Sequence, residues 1–235
     1  MATHLIIGGT RGIGAALAQA LQTQGHDVHV LSRQPAENPL PGVTYHLGDA
    51  TAGLPAGALP GTLHGLAYCP GSIQLKPFQS LTDQAFLQDL ETNLMGAVRC
   101  LRGALPALKQ GAASGGASVV LFSTVAVQTG MPFHASVAAA KGAVEGLSRS
   151  LAAEWARTGI RVNTIAPSIS DTSLAQGLLR TETQREAAAQ RHPIARIGTA
   201  AELAELASFL LGPQSGWLTG QVLHADGGMG ALRLL

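Results

Sequence analysis

The chain has 235 residues, 46% of them hydrophobic and 12% charged, with a formal net charge of +1. It is long enough to bury a sizeable core and too apolar to be disordered, and one domain over residues 1–235 is the expectation. The near-neutral charge leaves no footprint for nucleic acid or an anionic membrane surface, and Cys69 and Cys100 read as reduced, buried side chains, not a disulfide framework.

The first apolar run, residues 5–7, predicts a buried parallel strand. Gly8, Gly12 and Gly14 follow, and residues 15–21 predict a helix. Strand, glycine turn and helix in that order form the context in which a dinucleotide is held. A side chain at Gly8 or Gly12 would obstruct the turn or the approach of a pyrophosphate. One at Gly14 would push the helix off the strand. The helix N-terminus then offers its free N–H groups to phosphate. A tight turn in another kind of α/β protein is the competing reading.

Residues 27–31 predict the second strand, which ends in Ser32-Arg33, where the adenosine ribose of a dinucleotide would lie. An acidic residue there would bond both ribose hydroxyls. Arg33, with Arg11 from the glycine turn, would instead clamp a 2′-phosphate, which favours NADP(H) over NAD(H). As solvated surface charges the two arginines would carry no such meaning. Residues 42–47 predict a third strand closed by Gly48-Asp49, and Asp49 suits either the adenine amino group or a cap on the next turn. Residues 51–61 are too rich in Gly, Ala and Pro for a long helix.

A fourth strand over 63–68 ends in Cys69-Pro70-Gly71. Helices follow over 83–90, behind a Thr82 cap, and over 92–108, with Asn93 at the start and Leu94, Val98, Leu101 and Leu105 on one face. Residues 111–117 predict a loop and 118–122 a strand that runs into Ser123-Thr124. After a loop with Gly130 and Pro132, a long helix is expected over 136–157 with Ser136 as its N-cap. A strand over 160–165 is broken by Ala166-Pro167. Residues 172–191 predict a polar helical flap, 201–211 an amphipathic helix, and 221–224 a last strand before Asp226-Gly227-Gly228. Strands alternating with helices predict an α/β doubly wound parallel sheet.

With these motifs the chain resembles the short-chain dehydrogenase/reductase family over nearly its whole length. The resemblance is carried by Gly8-Gly9-Thr10-Arg11-Gly12-Ile13-Gly14, Asn93-Leu94, Lys141-Gly142-Ala143, Arg161-Val162-Asn163-Thr164-Ile165-Ala166-Pro167, and Thr219-Gly220-Gln221-Val222 with Asp226-Gly227-Gly228. It implies a Rossmann-type fold of about seven strands with helices on both faces, a nicotinamide cofactor and a homo-oligomer, tetramer or dimer. Helices 92–108 and 136–157 would build one interface. It further implies cofactor contacts from Gly8, Thr10, Arg11, Gly12, Ile13, Gly14, Ser32, Arg33, Asp49, Gly71, Lys141, Pro167, Ile169 and Thr172. Thr172 would bond the carboxamide or a phosphate, or else cap the next helix.

The family's chemistry uses an Asn, a Ser, a Tyr and a Lys. The Tyr protonates the carbonyl oxygen as hydride arrives, the Lys lowers its pKa and holds the nicotinamide ribose, the Ser polarises the carbonyl, and the Asn keeps a water in the proton path. Asn93 and Lys141 match, and Thr124, beside Ser123, stands at the Ser position. Four residues before Lys141, where the family has Tyr, stands Val137. Losing a general acid costs about a hundred- to ten-thousand-fold in rate. Another group therefore donates, or the chemistry differs, or the chain is no longer a catalyst. His134 is the candidate substitute, because an unperturbed histidine exchanges protons near neutral pH. The competing reading makes it a loop residue bonded to a backbone carbonyl.

The expectation is an NADP(H)-dependent oxidoreductase acting on a carbonyl or alcohol through Asn93, Thr124, Lys141 and His134, with no metal. The alternatives are an inactive nucleotide-binding homologue with a sensor or structural role, or a non-redox enzyme on the same fold. Two smaller departures accompany Val137. The family's Asn-Asn-Ala-Gly turn is Tyr68-Cys69-Pro70-Gly71, which lacks the usual side-chain anchor of the sheet, and its Pro-Gly is Pro167-Ser168, so that Ser168 would take the glycine's conformation. A cavity bordered by residues 124–134 and the 172–191 flap would present Val125, Val127, Met131 and Phe133 to a small, largely apolar substrate. With no basic leader and no membrane-length apolar run, a cytoplasmic location is expected.

Overall fold

The computed structural model describes residues 1–55, 57 and 59–233. Strand β1 (Thr3–Ile7) leads through a turn into α1 (Gly12–Thr23), β2 (Asp27–Ser32), β3 (Val43–Leu47) and β4 (Gly65–Tyr68). Helix α2 (Asp83–Leu90) passes through a π-helical segment, Glu91–Met95, into α3 (Gly96–Ala113). Then come β5 (Ala117–Phe122), the single turn α4 (Ala126–Thr129), α5 (Ala135–Trp155) and β6 (Ile160–Pro167). The last part holds β7 (Ser170–Asp171), α6 (Glu182–Ala189), β8 (Gly198–Thr199), α7 (Ala200–Leu211) and β9 (Val222–Ala225). Seven strands form one parallel sheet in the order β3-β2-β1-β4-β5-β6-β9, and β7 pairs only with β8. The order reverses between β1 and β4, and a crevice opens there beyond the strand ends.

The strands are continuous apolar runs because both faces are covered. Side chains alternate along each strand. Leu5, Ile7, Leu66, Val119, Leu121 and Val162 pack with Leu101, Leu108 and Trp155 on the α3 and α5 side. Ile6, Val28, Val30, Val120 and Ile165 pack with Leu17, Leu203 and Leu210 on the α1 and α7 side. Helices thus cover both faces of a Rossmann-type sheet.

Several boundaries differ from the expectations. The predicted helices 83–90 and 92–108 form one unbroken helical run to Ala113, so the loop expected from 111 begins later. Gly111 stays helical because it lies against the sheet-side backbone, where a Cβ would strike the Leu63 carbonyl oxygen. The inward face of α3 is Ala97, Cys100, Leu101, Ala104 and Leu108, whereas Leu94, Val98 and Leu105 flank it half-buried. Strand β6 runs on through Ala166-Pro167, since Pro167 still pairs with Ala225. Helix α5 starts at Ala135 behind His134, and Ser136 is a buried helical residue rather than the cap. Only part of 172–191 is helical: a 3-10 turn at Gln176–Leu178 and α6, which Thr181 and Gln184 start with a reciprocal capping box. In the broken stretch 51–61, Ala56 and Ala58 lie outside the described residues; the remainder has one 3-10 turn, Ala50–Ala52.

At the opposite end of the sheet from the crevice, His4 is 2% exposed and neither ring nitrogen has a hydrogen-bond partner among the described residues. Burial, helped by the neighbouring His26 and His64 and opposed by Asp27, pushes its pKa down to about 3. The unfolded chain therefore takes up a proton near pH 6.5 that the folded state refuses. Neutral His4 supports the fold fully above that pH, and stability falls as pH drops towards about 3. The full loss is on the order of 5 kcal/mol. Denaturant unfolding at pH 7 and pH 4 should show a smaller acid loss in His4→Leu than in the unmodified chain. Equal losses would contradict this assignment.

Candidate functional site

The crevice is built from the β1–α1 turn outward. Gly8 and Gly12 have φ of +78° and +54°, a backbone that other residues adopt only under strain. A Cβ on Gly9 would stand 2.9 Å from both γ-carbons of Val30, and one on Gly14 would collide with the Gly8 carbonyl oxygen. Helix α1 can therefore start directly against the sheet only with glycine at these positions. Gly9, to which the sequence reading gave no task, is as constrained as Gly14. Arg11 precedes α1 without capping it, so the first N–H groups of the helix are left for a ligand.

Arg11 and Arg33 are exposed beside this helix start and the end of β2, and neither forms an ion pair among the described residues. The Ser32 hydroxyl donates to the Gln34 carbonyl at 2.7 Å. Asp49 accepts from the Thr51 N–H at 2.9 Å and the Thr51 hydroxyl at 2.8 Å, bonds that hold its carboxyl below the usual range. It caps the next turn, one of its two expected roles. Thr10, half-exposed, lies in the same turn.

A cavity of about 290 Å³ opens beside the turn, walled by Ile13, Gly71, Thr124, His134, Val137, Lys141, Pro167, Ile169 and Thr172. Val125, Met131, Leu174, Leu178 and Met229 add apolar surface, but Val127 and Phe133, expected in the wall, do not line it. Phe133 is 56% exposed and left-handed at φ +68°, a strained residue that sets the entry of His134 into α5. The His134 Nδ1–H donates to the Pro132 carbonyl at 2.7 Å, the loop bond of the competing reading, and the residue also lines the cavity. Ser168 has no positive φ and needs no glycine conformation; its hydroxyl meets His192 Nε2 at 2.8 Å. Thr172 caps no helix, since α6 is capped by Thr181.

Lys141 is 7% exposed and donates from Nζ to the Phe122 carbonyl at 2.8 Å. Burial lowers its pKa to about 8, against the opposing pull of Cys69 and Asp89. A Cβ on Gly71 would stand 3.6 Å from Lys141 Nζ and 3.5 Å from Asn93 Oδ1, so both polar groups lie beside Gly71; Lys141 lines the cavity and Asn93 does not. Of the two hydroxyls after β5, Ser123 is committed to Glu145 Oε1 at 2.6 Å. Thr124 accepts from the Ala126 N–H at 3.3 Å and keeps its own proton to donate. One turn before Lys141, the buried Val137 gives the wall no proton. Neither of the chain's tyrosines reaches the cavity. The Tyr45 hydroxyl accepts from the Leu40 N–H, and the Tyr68 hydroxyl donates to the Thr92 carbonyl at 2.7 Å.

That last bond is the sheet anchor the sequence reading found missing. In the π-helical segment the Gly96 N–H turns to Glu91 O, and the Thr92 carbonyl takes the Tyr68 hydroxyl. Gly96 makes room, since a Cβ there would collide with the Tyr68 oxygen. The segment turns Asn93 inward: its Nδ2 donates to Ser72 Oγ at 2.9 Å and to the Asp89 carbonyl at 2.8 Å, while Oδ1 is buried without a partner among the described residues. Ser72 and Asp89 were missed by sequence reasoning. The available signal was the helical spacing of Asp89 and Asn93, which places both on one face.

The chain was compared with known proteins. The family model described as enoyl-(acyl carrier protein) reductase matches residues 8–230. A tropinone reductase homolog of Arabidopsis thaliana is 34% identical, over 96% of this chain and 91% of that protein. A tropinone reductase homolog of Datura stramonium is 30% identical, over 96% and 91%. A short-chain dehydrogenase family protein of Francisella tularensis superposes with a TM-score of 0.88 at 25% identity, covering 99% of this chain and 100% of that one. The structure of actinorhodin polyketide ketoreductase with NADPH gives a TM-score of 0.86 at 27% identity, covering 98% of each.

Burial of Lys141 makes a direct prediction. With ¹³C-labelled lysine side chains, the Lys141 ε-carbon should titrate with a midpoint near 8. A midpoint near the ordinary 10.5 would mean that the ammonium is solvated and the cavity wall is not closed around it.

Proposed function

The chain belongs to the short-chain dehydrogenase/reductase family, and from that premise we propose that it is an NADP(H)-dependent oxidoreductase of small, largely apolar carbonyl or alcohol compounds, with an altered catalytic set. The observation that carries this reading is the shared cavity. Ile13, at the start of α1 next to the glycine turn, lines it together with Thr124 and Lys141, so a ligand lying along the turn could reach the chemical half as well.

The residues fit a nicotinamide dinucleotide. Gly8, Gly12 and Gly14 with the open start of α1 suit a pyrophosphate, and Thr10 and Ile13 border it. Ser32, Arg33 and Arg11 suit a 2′-phosphated ribose, and Asp49 the adenine edge. Gly71, Pro167, Ile169 and Thr172 would flank the nicotinamide half, and Lys141 would hold its ribose. Bound there, the cofactor supplies or accepts hydride. Support for NADP(H) comes from the two unpaired arginines, and from the related ketoreductase whose structure holds NADPH.

The chain's own groups would then do three things. The Thr124 hydroxyl donates to the substrate oxygen and draws charge onto it. The Lys141 ammonium, partly stripped of water, stabilises the developing alkoxide. Asn93 Oδ1, buried and unpartnered, holds polar company for Lys141 behind Gly71. With Val137 at the wall, the proton must come from another group, and His134, which lines the cavity with its Nδ1 held by Pro132, is one candidate. A homo-oligomer, dimer or tetramer, through the outer faces of α3 and α5 completes the proposal. Among the described residues no helix is long and apolar enough to cross a membrane.

A second reading rests on Val137 alone: a nucleotide-binding protein that no longer catalyses. Fluorescence titration addresses the cofactor half of both. NADPH should bind at least about tenfold more tightly than NADH, and Arg33→Ala with Arg11→Ala should remove roughly 1–3 kcal/mol of that preference while leaving NADH unchanged. Equal binding of the two cofactors would contradict the arginine clamp.

A further inference from the structure

Behind the cavity lies a carboxylate that the proposed catalytic set does not use. Asp89 on α2 is 0% exposed, and no cation lies within ion-pair distance of it among the described residues. Its Oδ1 accepts from the Ser72 hydroxyl at 2.5 Å, and its Oδ2 is buried with no partner among the described residues. Burying a carboxylate with one oxygen unpartnered costs stability that a neutral side chain would not cost. A purely structural tether between the loop after β4 and α2 would be made as well by an amide, without the charge.

Ser72 is the link to the chemistry. It follows Gly71 in the chain and lines the same cavity as Lys141 and Val137. Its oxygen accepts from Asn93 Nδ2 at 2.9 Å while its proton points to Asp89, so its orientation is fixed from two sides. The other buried serine–carboxylate pair at the cavity, Ser123 with Glu145, is different. Glu145 Oε2 reaches Arg149 at 3.8 Å, and that arginine extends to the surface, so the charge is already matched. His134 sits at the rim, with one nitrogen held by Pro132.

We propose that Ser72 and Asp89 form the proton relay that serves this site in place of the missing tyrosine, Ser72 touching the substrate oxygen and Asp89 acting through it. The proposal rests on the oxidoreductase reading above and supplies its proton. In the oxidation direction the substrate O–H proton passes to Ser72 Oγ as the Ser72 proton passes to Asp89 Oδ1. The substrate carbon gives up its C–H electron pair as hydride to the nicotinamide, and the C=O bond forms. In reduction the same transfers run backwards: Asp89 gives its proton to Ser72, Ser72 gives its own to the oxygen, and the carbon has gained hydride. When product leaves, water entering the cavity resets Asp89 through Ser72.

The test uses the full chain, NADPH and 2,2,2-trifluoroacetophenone as the ketone. Asp89→Asn and Ser72→Ala should each lower kcat by about a hundredfold or more, with KM and the NADPH dissociation constant within about threefold, and the double variant should be no worse than either alone. Ser72→Thr, which keeps a hydroxyl, should retain kcat within about fivefold. In the free protein, a low-field hydroxyl proton resonance should be present and should vanish in Asp89→Asn and Ser72→Ala. Should Asp89→Asn not fold, Ser72→Ala against Ser72→Thr decides. Turnover that survives both Ser72→Ala and Asp89→Asn, losses confined to KM, or a loss that follows His134→Ala instead would overturn the relay and leave the oxidoreductase reading standing. An unmodified chain that binds NADPH yet never reduces the ketone would overturn that reading and the relay with it.

Discussion

The hydrogen bond from the Tyr68 hydroxyl to the Thr92 carbonyl ties the parallel sheet to the helix that carries the site. The bond is partly buried, and leaving that carbonyl unpaired would cost up to about 1–3 kcal/mol. Its geometry requires the helix to slip out of α register over Glu91–Met95 and requires glycine at 96. The slip turns Asn93 inward, with its Oδ1 beside Gly71, which Lys141 Nζ also approaches. It also brings the Asp89 carbonyl to Asn93 and the Asp89 carboxylate to Ser72. Insertions of this kind are frequent at functional sites because they break the helical repeat where a side chain must point elsewhere.

The wall around Lys141 shows what the site has and lacks. Burial makes its ammonium easier to deprotonate and more effective as a charge, because little water screens it. Thr124 offers a hydroxyl, and the two tyrosines are both spent on structure. The side chain at 137 is packed and apolar. The cavity can thus polarise and stabilise an oxygen, but the proton has to arrive from a group that the family pattern does not name. Ser72, oriented by Asn93 and backed by a buried carboxylate, is such a group.

Much of the fold was legible in the sequence. Strands covered on both faces are unbroken apolar runs, so β1, β2, β4, β5 and β6 could be placed within a few residues, and the glycine turn marked the crevice. What was not legible has physical causes. A π-helical insertion leaves no periodic mark, so one helical run from Asp83 to Ala113 read as two. Gly111 looked like a terminator, although its missing side chain is what lets α3 lie on the sheet. Tyr68 read as the loss of an anchor because a hydroxyl can replace an amide only if the partner carbonyl is freed, which depends on the same insertion. Asp89 was passed over because polar residues on an amphipathic helix are assigned to solvent, and nothing in one sequence shows that Ser72 folds back onto it.

The central claim is that this cavity performs hydride chemistry despite Val137. The most direct test is transfer of label from NADPH deuterated at the nicotinamide C4 to an apolar ketone, with the product examined by mass spectrometry and NMR. The account predicts one deuterium on the carbinol carbon, delivered to a single face. Bound cofactor with no deuterium in any product would contradict it, and would make the site a place where a nucleotide is held but not used.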